Sequence, residues 1–389
     1  MTVAARTPLG QIARLFLRLG TTAFGGPAAH IAMMEDEVVA RRRWLTRAEF
    51  LDFVSAANLI PGPNSTELAI HIGFARAGWP GLIIAGVCFI LPAALIVIGI
   101  AWLYVAHGTL PAIEGVLYGV KPVVIAVVVQ ALWRLGRTAI TSRASVLLGL
   151  TSVAALSGGL HELAVLAGAG VVMALAQRLH RGPKDAALPV IVPVVLSHAE
   201  RTQWSLAAIA TTAIYAVPFS IAVLFGTFVK IGAVLFGSGY VLLAFLQRDF
   251  VERLGWLSET QLLDAIAVGQ MTPGPIFTTA TFVGYLVGGG AGAVAATLGI
   301  FLPAFVFVAL TGVLVRGIRE SPMARAVLDG VNVASLALMV VVTWQLGASA
   351  FEDPLAIALA LVSTALLLKW HVNSAWLVLG GATIGLVVR

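Results

Sequence analysis

Cysteine occurs once in 389 residues, as Cys88, and charged residues make up only 11% of the chain. A lone cysteine excludes an intrachain disulfide, a CxxC redox pair and a thiolate cluster. The scarcity of charge excludes an ordinary soluble domain, in which about a quarter of the residues are charged. No Walker A sequence is present, the Gly288–Gly292 run lacks GxGxxG spacing, and the seven histidines lack metal-ligand spacing. An enzyme centre, a resident metal and a cofactor are therefore not expected. Met1 to Gln11 carries Arg6 and leads into Arg14 and Arg18 rather than a clean apolar core, which argues against a cleaved signal peptide.

What is abundant is apolar. Hydrophobic residues reach 59% and the mean hydropathy is +0.98. A spanning helix needs about 20 mostly apolar residues. Such stretches recur near 79–105, 112–136, 143–158, 161–178, 204–224, 228–246, 290–315, 324–347, 354–369 and 373–388. A barrel would instead alternate over segments of about ten residues. The expected class is all-α, polytopic and membrane-embedded, with the lipid bilayer as partner. The net charge of +6 sits in short arginine clusters between apolar stretches, where the positive-inside rule accounts for it without nucleic acid.

A repeat covers almost the whole chain. Phe24-Gly25, Trp44-Leu45, Asp52 and Pro61-Gly62-Pro63 recur as Phe236-Gly237, Trp256-Leu257, Asp264 and Pro273-Gly274-Pro275, each 212 positions on, as 61 is from 273. Leu91-Pro92, Gly119 and Trp133 recur at Leu302-Pro303, Gly330 and Trp344, and His161 at His371. The halves are read as 10–180 and 217–389, with 181–216 as a linker containing a further apolar stretch. A duplicated membrane unit is the usual sign of a secondary transporter, with the substrate site where the repeats meet.

Loop charges predict halves of opposed orientation. Arg134, Arg137 and Arg143 crowd a loop whose counterpart at 345–354 has no cation but carries Glu352 and Asp353. Conversely, 106–115 lacks Lys and Arg, whereas 316–325 has Arg316, Arg319 and Arg325. Inversion also requires that 204–224, broken by Pro218, adds no net crossing, or that the PGP region crosses once.

Both repeats run an amphipathic segment into a Pro-Gly-Pro break. Proline removes a donor and forces its predecessor out of the α region, so the first helix must stop. Pro63 and Pro275 are expected as the first residues of new helices. Unpaired N–H groups would then face outward at Asn64, Ser65 and Thr66, and at Ile276, Phe277 and Thr278. Helix starts carry about half a positive charge and suit oxyanions. Asn58, Asn64, Ser65, Gln270, Thr272 and Thr278 add polar side chains. The bland alternative is a structural turn; its duplication beside amides and hydroxyls raises the weight of substrate contact.

Arg18 and Lys230 are also equivalent, each four residues before a helix break that includes Gly25 and Gly26, or Gly237 and Gly239. Paired cations near mid-membrane could neutralise a dianion; snorkelling to an interface is the alternative. Lys121 is a weaker candidate because its repeat partner is Asn332. Glu67 and His71, four apart on one helix face, read either as a proton relay or as a self-satisfied polar pair. Their uncharged repeat partners favour the pair. Glu35, Asp36 and Glu37 facing Arg41, Arg42 and Arg43 read as locally paired interfacial charge. Gly115 and Gly119, like Gly284 and Gly288, have the spacing that lets helices approach closely.

These residues resemble the chromate ion transporter family. The first copy of its motif is Phe24-Gly25-Gly26-Pro27-Ala28-Ala29-His30, Val39, Arg41-Arg42-Arg43-Trp44-Leu45 and Pro61-Gly62-Pro63. The second is Phe236-Gly237-Ser238-Gly239-Tyr240, Val251, Trp256-Leu257 and Pro273-Gly274-Pro275. Ser238 departs from the double glycine, which leaves open whether both halves contribute equally. The resemblance implies a multi-pass exporter of the bacterial inner membrane that lowers cytoplasmic chromate, a small inorganic oxyanion, and so gives chromate resistance, with two halves of opposed orientation and no cofactor. A carrier for sulfate or another anion, and a passive channel, are the rivals. Assembly as a homodimer is left open.

Overall fold

The computed structural model describes residues 7–181 and 218–388, apart from 25, 108–110, 237–238, 352 and 371. The described residues are helical and contain no strand. The first half contains α1 (Leu9–Thr22), α2 (Gly26–Glu35), a π-helical turn (Asp36–Arg41), α3 (Arg47–Ala57), α4 (Asn64–His107), α5 (Pro111–Ala139), α6 (Arg143–Ser157) and α7 (Glu162–Arg181). The second half repeats this order. It has α8 (Ile221–Val234), α9 (Leu242–Leu246), a π-helical turn (Gln247–Arg253), α10 (Glu259–Met271), α11 (Thr279–Glu320), α12 (Pro322–Ala350), α13 (Pro354–Lys369) and α14 (Ser374–Val388). Among the described residues, five helices, beginning at Asn64, Glu114, Glu162, Ile276 and Pro322, are long and apolar enough to cross a membrane.

Local chemistry is duplicated with the sequence. Thr46 and Glu49 close a capping box at the start of α3, and Ser258 and Gln261 close the equivalent one at α10. Both capped helices then run into their Pro-Gly-Pro breaks.

The stretch expected to span at 228–246 does not. α8 ends at Val234, Leu235 is extended, and the chain resumes in short turns from Gly239. The stretch 204–224 lies mostly outside the described residues, as does the linker from 182 onward.

α4 and α11 are each two helices folded back on one another. At the bend, Gly78 has φ 64° and its repeat twin Gly289 has φ 58°, a region glycine enters without penalty. Residues eight apart on a straight helix lie about 12 Å apart. Here a side chain on Gly73 would collide with the Gly81 carbonyl, and one on Gly284 with that of Gly292, so the chain has reversed. The first leg is buried from 65 to 73, and the second leg is the long one.

The halves interlock reciprocally. α7 packs on α12 and α14 on α5, while α4 and α11 pack together at the centre. Gly115 and Gly119 meet Gly385 and Gly381 backbone to backbone, the close approach that their spacing predicts. The outward surface is apolar: Leu147, Leu150 and Leu361 are 65%, 64% and 67% exposed. Contiguous apolar surface of this kind needs lipid around it.

Candidate functional site

The two Pro-Gly-Pro turns are held by the opposite halves. Gly62 donates its N–H to the carbonyl of Leu235 at 2.8 Å, and Gly274 donates to the carbonyl of Ala23 at 2.9 Å. Leu235 and Ala23 are the residues that end α8 and α1, so each turn satisfies a carbonyl that a stopped helix leaves without a partner. Gly62 has φ 134° and Gly274 φ 86°, which explains a glycine between the prolines.

Pro63 and Pro275 are not the first helical residues, as expected, but the residues just before. The carbonyl of Pro63 accepts from Thr66 at 2.7 Å and Glu67 at 3.0 Å, and that of Pro275 accepts from Thr278 at 3.0 Å. Thr66 and Thr278 thus spend their N–H groups locally. Asn64, Ser65, Ile276 and Phe277 find no backbone acceptor among the described residues.

Those four residues border a single cavity of about 50 Å³ together with Pro27, Pro63, Gly239 and Pro275. Both helix starts, and the motifs that follow α1 and α8, therefore border one space. Its walls differ: Asn64 and Ser65 are polar, whereas Ile276 and Phe277 present apolar side chains and only backbone donors.

The remaining expected site residues lie just outside. Asn58 accepts from the Asn64 amide at 2.6 Å, which orients Asn64. Thr272 and Thr278 donate their hydroxyls to the carbonyls of Val268 and Pro275, at 3.0 and 2.8 Å. Gln270 has an amide nitrogen without a partner among the described residues. Pro61 and Pro273 shape the turns without bordering the cavity. Gly26, at φ 79°, packs near Ile276 and Tyr240. Gly25 and Gly237 lie outside the described residues.

Arg18 and Lys230 do not reach this cavity. Arg18 binds Glu37, and Lys230 binds Asp249 at 2.6 Å. Glu37 and Asp249 are themselves repeat equivalents on the two π-helical turns, so the carboxylates that neutralise the cations were duplicated with them. Arg18 borders a different, larger cavity of about 520 Å³ with Asp36, Glu37 and Arg41. The pairing of Asp36 with Arg41 at 2.6 Å matches the local charge pairing expected there.

Glu67 and His71 do not satisfy each other, contrary to the favoured sequence reading. Both Glu67 carboxylate oxygens are buried without a partner among the described residues, as is His71 Nε2. The His71 ring instead stacks on Phe53 with centroids 5.7 Å apart. Glu67 is turned against the Gly62 backbone, and side-chain packing across the turn overrides the four-residue spacing.

Two polar clusters were not assembled by the sequence reading, which held Lys121 only as a weaker cationic candidate. Lys121 pairs with the buried Asp264 at 3.2 Å, and Tyr104 donates to the same carboxylate at 2.8 Å. His30, 1% exposed, sits between Ser65 and Ala23. Its signal in the sequence was weak: a histidine where the other repeat has Leu242.

Duplicated, interlocked apolar helices whose paired breaks converge on one cavity define a polytopic membrane transport protein. The chain belongs to the chromate transporter family, whose profile, described as Chromate transporter, matches residues 10–175 and 222–386. It is 32% identical over 387 residues to a Chromate transport protein of Cupriavidus metallidurans, covering 97% of this chain and 93% of that one. A Chromate transport protein of Pseudomonas aeruginosa is 32% identical over 85% of this chain and 79% of its own. An uncharacterised transporter of Methanocaldococcus jannaschii is 26% identical over 96% and 92%. No solved structure matches.

Proposed function

We propose that this protein is a secondary carrier that exports chromate across the bacterial inner membrane by alternating access, lowering cytoplasmic chromate. The observation that carries the reading is the meeting of both Pro-Gly-Pro helix starts at one cavity. Four N–H groups without backbone acceptors among the described residues point to a ligand that is rich in oxygen and negatively charged. The halves, of opposed orientation by loop charge, rock about the cavity and expose it alternately.

Arg18 and Lys230 enter this reading as charges released from Glu37 and Asp249, or as the fasteners of the two π-helical turns. Chromate uptake into everted vesicles tests the scheme. Saturable, gradient-driven uptake that Ser65→Ala weakens supports it, and uptake indifferent to any ion gradient would favour a channel. Sulfate is the second reading, because donors that read only charge and tetrahedral shape separate the two anions poorly. Competition by sulfate in the same vesicles decides between them.

A further inference from the structure

The His30 ring joins the cavity wall to the carbonyl on which the opposite half is fastened. Its Nε2 lies 3.1 Å from the Ala23 carbonyl, which also accepts from Gly274, and its Nδ1 lies 3.3 Å from Ser65 Oγ. A carbonyl only accepts, so Nε2 carries the proton. In neutral imidazole Nδ1 is then bare and must accept the Ser65 hydroxyl proton. Ser65 borders the cavity, yet in this state its only O–H is aimed away, leaving lone pairs to face an incoming oxyanion.

A proton on His30 reverses that arrangement. Both ring nitrogens donate, Ser65 Oγ becomes the acceptor of Nδ1–H, and its own hydroxyl proton is free to turn into the cavity. We infer that His30 is a positioning residue that couples proton uptake to oxyanion binding by switching the Ser65 hydroxyl from acceptor-facing to donor-facing. The inference rests on the cavity being the anion site. By linkage, the bound anion must in turn favour the proton on His30.

Other charged groups around α2 are otherwise engaged. On α1, Arg18 is held by Glu37 and Arg14 is exposed; on the π-helical turn, Asp36 holds Arg41. On α3, Arg47 pairs with Glu35, Glu49 closes its own cap, and Asp52 is exposed. On α4, Glu67 and His71 are buried and do not bond to His30. Glu67 is the competing source of any pH dependence.

The test is chromate binding by the purified full-length protein in detergent, by equilibrium dialysis at several pH values. Each variant is compared with wild type at the same pH, so the titration of chromate itself cancels. Burial holds the free His30 imidazole down to about 4, so the affinity ratio of wild type to His30→Gln should rise severalfold from pH 6 to pH 4, as an ordinary coupling between two sites requires. Glutamine keeps a donor for Ala23, and a single size-exclusion peak verifies the fold. Ser65→Ala should bind more weakly and lose the same pH dependence, while Glu67→Gln should keep it. A flat ratio for His30→Gln, or a pH dependence that only Glu67→Gln removes, overturns the inference and leaves the cavity reading standing. Chromate binding untouched by Ser65→Ala at every pH would overturn the cavity reading itself.

Discussion

Lys230 grips both carboxylate oxygens of Asp249, at 2.7 and 2.6 Å, in the place where the other half sets Arg18 against Glu37. Asp249 is 1% exposed and also receives Arg253 at 2.9 Å. Cations that look free in the sequence are thus charge-balanced in the fold.

Removing Lys230 alone therefore strands a buried carboxylate. Lys230→Met is expected to cost about 3 kcal/mol, the usual scale for breaking a buried pair, with some relief from Arg253. Lys230→Met with Asp249→Leu should recover most of that loss in thermal melting. If the stable double variant still moves chromate, Lys230 acts through its pair; if it melts normally but is inactive, Lys230 serves the substrate.

The turn glycines should resist any side chain. In Gly274→Ala the new methyl would lie 2.6 Å from Ala93 Cβ and 3.0 Å from the Gly20 carbonyl, at φ 86°. Strain and overpacking together should cost about 2–4 kcal/mol. Gly255→Ala, at φ 63° in open space, is the control for strain alone and should cost about 1 kcal/mol. Equal melting temperatures for the two variants would refute the close approach of the turn to the opposite half.

Tyr104, Lys121 and Asp264 join α4, α5 and α10 across the halves. Tyr104→Phe should cost about 1.5–3 kcal/mol, the worth of a hydrogen bond to a charged group. Lys121→Met should cost more, since it leaves Asp264, 2% exposed, without its counter-charge. The order of the two melting temperatures checks this, and a milder effect for Lys121→Met would contradict it.

Gly119 and Gly381 share a backbone contact with no room for a methyl group. Gly119→Leu should separate α5 from α14 and abolish a monodisperse elution profile, whereas Gly10→Leu, which faces open space, should not. A normal profile for Gly119→Leu would remove this contact from the interface.

Much of the fold was legible because its causes are local. Long apolar runs require helices in lipid, and Pro-Gly-Pro ends a helix wherever it stands. The reversals at Gly78 and Gly289 were not legible, because a glycine in the sequence does not say whether a helix continues or folds back there. The stretch 228–246 misled for the converse reason: its hydropathy is continuous, but Leu235 must turn outward for its carbonyl to meet Gly62.

The sequence by itself determined a membrane-embedded helical protein of two related halves, and the two places where helix starts offer N–H groups. Hydropathy, duplication and proline geometry act over a few residues and need no partner to be read. Only the tertiary structure decided that each break is sealed by the opposite half, that Arg18 and Lys230 are already paired, and that Glu67 and His71 stay apart. Those outcomes depend on which carbonyl or carboxylate is brought within hydrogen-bond reach from far along the chain, and packing alone sets that.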